Sequence, residues 1–128
     1  MEIRFLADTN IFPEILLKQD KEEDCKNFLN DNIGKLYMSD FSLHSIGVIL
    51  FRYDSEAVFQ KFIDDTLKNV NLVSLPAGGY KEVVSAKKGL GLDFDDAYQY
   101  STAKYYKLKI ATMDTDFEEV KDVGVLFL

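Results

Sequence analysis

Short apolar stretches alternate along the chain with longer segments whose apolar residues recur at helical spacing. Residues 2–7 read as a strand entering the core. Residues 10–19 read as a helix, with Pro13 tolerated in its first turn. Asp20 is placed to cap a second helix through about residue 29, with Phe28 and Leu29 inward. A short strand over 35–38 follows. Ser39 or Asp40 then caps a helix to Arg52. That helix carries Phe41, Leu43, Ile46, Val48, Ile49, Leu50 and Phe51, apolar on most sides, which predicts thorough burial. Asp54 or Ser55 starts another helix through about residue 68, followed by a strand over 70–73. "SLPAGGY", 74–80, reads as a loop leading into a helix over 79–88, which "GLGLD" breaks. Asp93 caps a helix to Tyr106. A strand over 109–113, a helical turn over 117–120 and a last strand over 123–128 complete the pattern.

Strands separated by helices imply crossover connections and a mostly parallel sheet covered on both faces, a three-layer α/β architecture. No repeat, low-complexity tract or linker interrupts it, so the expectation is one domain over 1–128. In open sheets of this type ligands bind beyond the carboxyl ends of the strands. The acids fall where that rule applies. Asp8 directly follows the first strand, in "FLADTN". Asp114 directly follows a later one, in "IATMDTDF", with Asp116 two residues on. Asp96 lies at the start of the helix in "LDFDDAYQY". If the strands are parallel and central, these carboxylates converge at one edge of the sheet.

Composition narrows the function classes. The net charge of −7 argues against binding nucleic acid through global electrostatics, which needs Lys and Arg to replace counterions. It is compatible with acids gathered around a cation that supplies the missing positive charge. The start, "MEIRFLAD", lacks the features of a signal peptide, and no apolar run reaches the roughly 18 residues of a membrane span. With the single cysteine, Cys25, these features predict a cytoplasmic protein with no membrane association.

Clustered carboxylates raise one another's pKa unless a cation neutralises them. Mg²⁺ or Mn²⁺ prefers such hard oxygen ligands and promotes displacement at phosphorus. Taken together, "FLADTNIF" and the compound signal "LDFDDAYQYSTAKYYKLKIATMDTDF" resemble the PIN domain family, over essentially the whole chain. The resemblance implies a parallel five-stranded sheet between helices. It also implies a Mg²⁺- or Mn²⁺-dependent ribonuclease, the toxin of a toxin–antitoxin pair, with RNA as substrate and an antitoxin protein as partner. The family's acids fall on Asp8, Asp96, Asp114 and Asp116, and its supporting polar residues on Thr9, Asn10 and Thr112. One departure stands out. The family's glutamate on the helix after the second strand falls, counting from Ser39, on Ser45, and that helix contains no Glu. Asp40 lies almost two turns away, and His44 is about 100° round the helix, so neither simply replaces it.

Blander roles compete at several positions. Asp93 is better read as a cap alone, Asp95 equally as cap or ligand, and Asp96 and Asp116 as ligands. His44 reads as a surface or packed residue, and Tyr98, Tyr100, Tyr105 and Tyr106 as packing. Lys87, Lys88, Lys104 and Lys107 are the best candidates for phosphate contacts, with a solvated helix face an equal alternative. The missing Glu also supports a non-catalytic relative that binds rather than cleaves. A phosphotransfer receiver needs paired acids at its first strand, and this chain has one. The family and an aromatic content of 13% further imply a homodimer.

Overall fold

β1 (Phe5–Ala7) forms the centre of the sheet in the computed structural model, which describes residues 2–128. It pairs in parallel with β2 (Leu36–Ser39) on one side and β4 (Lys109–Thr112) on the other. β3 (Asn71–Val73) and β5 (Val125–Phe127) extend the sheet to the order β3-β2-β1-β4-β5, parallel throughout. Six helices surround it: α1 (Ile11–Leu16), α2 (Glu22–Asp31), α3 (Asp40–Arg52), α4 (Glu56–Asp65), α5 (Tyr80–Leu90) and α6 (Phe94–Tyr106).

Strand alternation sorts the apolar side chains into two cores, one on each face. Leu6 of β1 and Ile110 of β4 join α5 and α6 through Val83, Ala86, Ala97, Tyr100 and Ala103. Phe5 and Ala7, with Ala111, join α1 to α4 through Phe12, Cys25, Phe28, Ile46, Leu50 and Phe62. The central strands are buried on both faces, as a parallel sheet between helices requires. Leu6 is fully enclosed, so truncating it to Ala costs about 2–5 kcal/mol.

Several element boundaries differ from the sequence expectation, each for a local reason. α1 stops at Leu16 because Lys18 adopts a left-handed backbone, φ 53°. α2 starts at Glu22 with Lys21 in the cap position and no side-chain cap, so Asp20 does not play that role. α4 ends at Asp65, and a 3₁₀ turn, Leu67–Asn69, finishes what reads as one helix. The turn expected over 117–120 is a 3₁₀ turn at Thr115–Phe117. Gly91, φ +70°, ends α5 in the conformation glycine adopts without strain. The expectation for α3 needs the largest correction. Only Ser42, Ile46 and Leu50 are buried, and Phe51 is 59% exposed. α3 buries one stripe in the core it shares with α1, α2 and α4, and Phe59 of α4 covers only part of its remaining surface.

Among the described residues no helix is long and apolar enough to cross a membrane.

Candidate metal centre

Asp8 is the first residue beyond β1, and its N–H continues the ladder to the Ala111 carbonyl at 2.9 Å. Its carboxylate is therefore fixed at the carboxyl edge of the two central strands. Oδ2 accepts from Thr112 Oγ1 at 2.7 Å, while Oδ1 accepts from the Thr9 N–H at 2.9 Å and Gln99 Nε2 at 3.2 Å. Burial pushes the Asp8 carboxyl above its ordinary pKa, these three donors oppose the shift, and nearby Asp114 adds to it.

Thr112 also orders the next acid, since its Oγ1 accepts from the Asp114 N–H at 2.9 Å. Asp114 then caps the 3₁₀ turn, accepting from the Asp116 N–H at 2.8 Å. Across the edge, Asp93 caps α6 by accepting from the Asp96 N–H at 2.9 Å, which turns the first helical turn toward the same crevice. Asp93 is thus a cap, as its sequence position suggests.

The crevice is about 300 Å³ and brings together Asp8, Asp96, Asp114 and Asp116, with Asp93 and Asp95 on its wall. Thr9, Asn10 and Ser45 line it as well. Thr112 lies just beneath, fully buried and bonded to Asp8. Asp96, Asp114 and Asp116 each offer an oxygen within 4.8 Å of the others. Asp96 is the most perturbed of these. Burial first, then the charges of Asp93, Asp114, Asp8 and Asp116, push its carboxyl up to about 7. A divalent cation with a preference for carboxylate oxygen fits that donor set, because it would relieve the repulsion that raises Asp96. Asp8 stands outside the trio. Three donors already engage its roughly four lone-pair sites, leaving about one acceptor direction for the crevice.

Gln99 was not singled out by the sequence. It is fully buried on α6, and its Oε1 accepts from Ser39 Oγ at 2.7 Å while Nε2 also donates to Ser42 Oγ at 2.8 Å. Ser42 in turn shares a 2.7 Å hydrogen bond with Thr9 Oγ1. The one available signal was spacing: three residues past Asp96, Gln99 lies on the same helix face.

Other sequence candidates lie elsewhere. His44 is exposed and lines a separate groove between α3 and α4. Asp40 accepts from the Tyr98 hydroxyl at 2.7 Å. Lys104 is committed to Glu82 and Asp122, at 2.6 and 3.2 Å, and Lys107 lies at the opposite end of α6 from Asp96.

Comparison with known proteins agrees with this fold. No curated protein matches the sequence. Among solved structures the chain is similar to one from a toxin–antitoxin complex of Klebsiella pneumoniae, with 22% identity, 94% of each chain covered and a TM-score of 0.78. It is similar to FitAcB from Neisseria gonorrhoeae, with 25% identity, 95% of this chain and 96% of that one covered, and a TM-score of 0.69. It is also similar to VapC20 from Mycobacterium tuberculosis, described as a sarcin–ricin loop cleaving toxin, with 15% identity, 95% and 98% covered, and a TM-score of 0.76. The model of the PIN domain matches residues 5–123, from the first residue of β1 past all four acids, and the chain therefore belongs to the PIN domain family.

Proposed function

We propose that this protein is a metal-dependent endoribonuclease acting as the toxin of a toxin–antitoxin pair. The observation that carries the reading is the meeting of Asp96, Asp114 and Asp116 at the carboxyl edge of the sheet, beside a hydrogen-bonded Asp8. Asp96, Asp114 and Asp116 would hold Mg²⁺ or Mn²⁺, with Asp8 contributing its remaining acceptor direction. When bound, the cation supplies Lewis acidity toward water and phosphate oxygen. The protein's own residues set the frame. Thr112, Gln99 and the Thr9 amide fix the Asp8 carboxylate, Thr112 and the 3₁₀ turn fix Asp114, and Asn10 and Ser45 present polar groups to a substrate. Two features support binding without cleavage as the second reading: three donors already occupy Asp8, and the Ser45 position lacks a carboxylate.

Partners belong to the same proposal. Toxin–antitoxin complexes among the solved relatives support an antitoxin, and the groove of about 770 Å³ on α3 and α4, lined by Leu43, Val48, Phe51 and Phe59, is the face proposed for it. Self-association as a dimer in the cytoplasm completes the reading. Sedimentation at high protein concentration tests that part, and a monomer throughout would remove it.

The test of the activity is Mn²⁺-dependent cleavage of a labelled single-stranded RNA by wild type and Asp114→Asn. Wild type is expected to cut and Asp114→Asn to lose cleavage. A wild type that binds RNA at saturating metal without cutting it leaves the binding-only reading, and an Asp114→Asn variant that cuts as well as wild type means that the acids are misassigned.

A further inference from the structure

A second cleft of about 890 Å³ opens between α5 and the start of α6, sharing Asp93 with the acid crevice. Its floor is apolar and closed by Val83, Leu92 and Ala97, all buried. Its lip is aromatic: Phe94 is 60% exposed and Tyr80 43%. Its rim carries Lys87 and Lys88, both exposed, and among the described residues neither makes an ion pair. Phe94 is the first residue of α6 and follows Asp93, which lines both the cleft and the acid crevice, so the aromatic lip and the acids lie on either side of the α6 N-terminus.

We infer that this cleft binds the nucleotides flanking the scissile phosphodiester, with a base stacked on Phe94 and phosphates at Lys87 and Lys88. The inference rests on the nuclease reading for the identity of the strand and adds the place where the strand lies. The chemistry is specific to single-stranded nucleic acid. An exposed aromatic ring stacks on any base, and paired lysines meet the backbone. A purely apolar partner would gain nothing from two unpaired lysines at the rim of a protein with a net charge of −7. For a polyanion approaching an acidic crevice, the same two charges provide local attraction where global attraction is missing.

Fluorescence anisotropy of a labelled single-stranded oligoribonucleotide, in Mg²⁺ and on the Asp114→Asn background to prevent cleavage, tests this directly. Phe94→Ala is expected to weaken binding roughly 5- to 150-fold, and Phe94→Tyr to restore it. The loss should vanish when the oligonucleotide carries abasic sites, because no base remains to stack. Lys87→Gln with Lys88→Gln should lower the salt slope by about 1.4, two contacts at roughly 0.7 each. Circular dichroism confirms that each variant is folded. Unchanged binding by Phe94→Ala overturns the inference. The same holds if Phe94→Ala binds RNA normally but loses self-association in light scattering, which assigns the cleft to protein contact. The nuclease reading fails separately. RNA binding that depends on Phe94 in a wild type that never cuts keeps the cleft and removes the activity, while normal cleavage of RNA with no role for Phe94 does the reverse.

Discussion

Gln99 Nε2 donates to Asp8 Oδ1 at 3.2 Å across 91 residues of sequence. The same amide binds hydroxyls on β2 and α3 and so ties three elements to the carboxylate at the head of the crevice. Gln99→Leu removes a donor from Asp8 and one hydrogen-bond partner each from Ser39 and Ser42. It is expected to lower stability by about 1–3 kcal/mol in urea unfolding, and to weaken Mn²⁺ binding in calorimetry. A variant with native stability and native metal affinity would show that the amide merely fills space.

Asp96 makes metal-free stability depend on pH. Its folded-state pKa is raised from 3.8 to about 7, so the folded state holds a proton that the unfolded chain gives up. The stabilisation is full below about pH 3.8 and is lost as pH rises through about 7. Asp96→Asn should therefore melt above wild type by a wider margin at pH 8 than at pH 5. Mn²⁺ should raise the wild-type Tm more at pH 8 than at pH 5, since protons compete for the same oxygens. Equal differences between the two proteins at both pH values would contradict the account.

Ser45 lines the crevice from α3 without a charge. Ser45→Glu adds a carboxylate facing the proposed cation site. The Mn²⁺ concentration for half-maximal cleavage should fall about tenfold, equivalent to roughly 1.4 kcal/mol of added attraction, while the metal-free Tm drops from added repulsion. A titration midpoint that does not move would place Ser45 outside the reach of the metal.

Phe51 is 59% exposed and meets Phe59 edge-on, with centroids 6.1 Å apart. Phe51→Glu places a charge in the α3–α4 groove at little cost to the fold, within about 1 kcal/mol. It should abolish co-purification with the co-expressed product of the adjacent reading frame and leave cleavage unchanged. Retention of the complex would move the partner to another face.

The sequence made the acids legible because their places follow from local rules. A strand end fixes Asp8 and Asp114, and a helix cap at Asp93 fixes the direction of Asp96. The parallel sheet was legible from the alternation alone. Gln99 was not, because an amide in a helix of tyrosines has no distinguishing pattern until Ser39 and Asp8 are brought to it by strand pairing. The exposure of α3 was also hidden, since an apolar count does not say how many faces a helix will find covered. The boundaries of α1 and α2 were hidden too, since the left-handed backbone at Lys18 ends α1 and Asp20 lies one residue before the α2 cap position.

The pairing of β1 with β4 joins Phe5 to Lys109 and Ala7 to Ala111. The crevice is therefore assembled from distant segments, Asp8 and Thr112 being 104 residues apart in sequence. A nascent chain carries Asp8 from the outset, yet it has no partner acids until Asp96, Asp114 and Asp116 have left the ribosome. Such distant pairing forms late and slowly in folding. An unfinished or truncated translation product consequently lacks the assembled acid cluster.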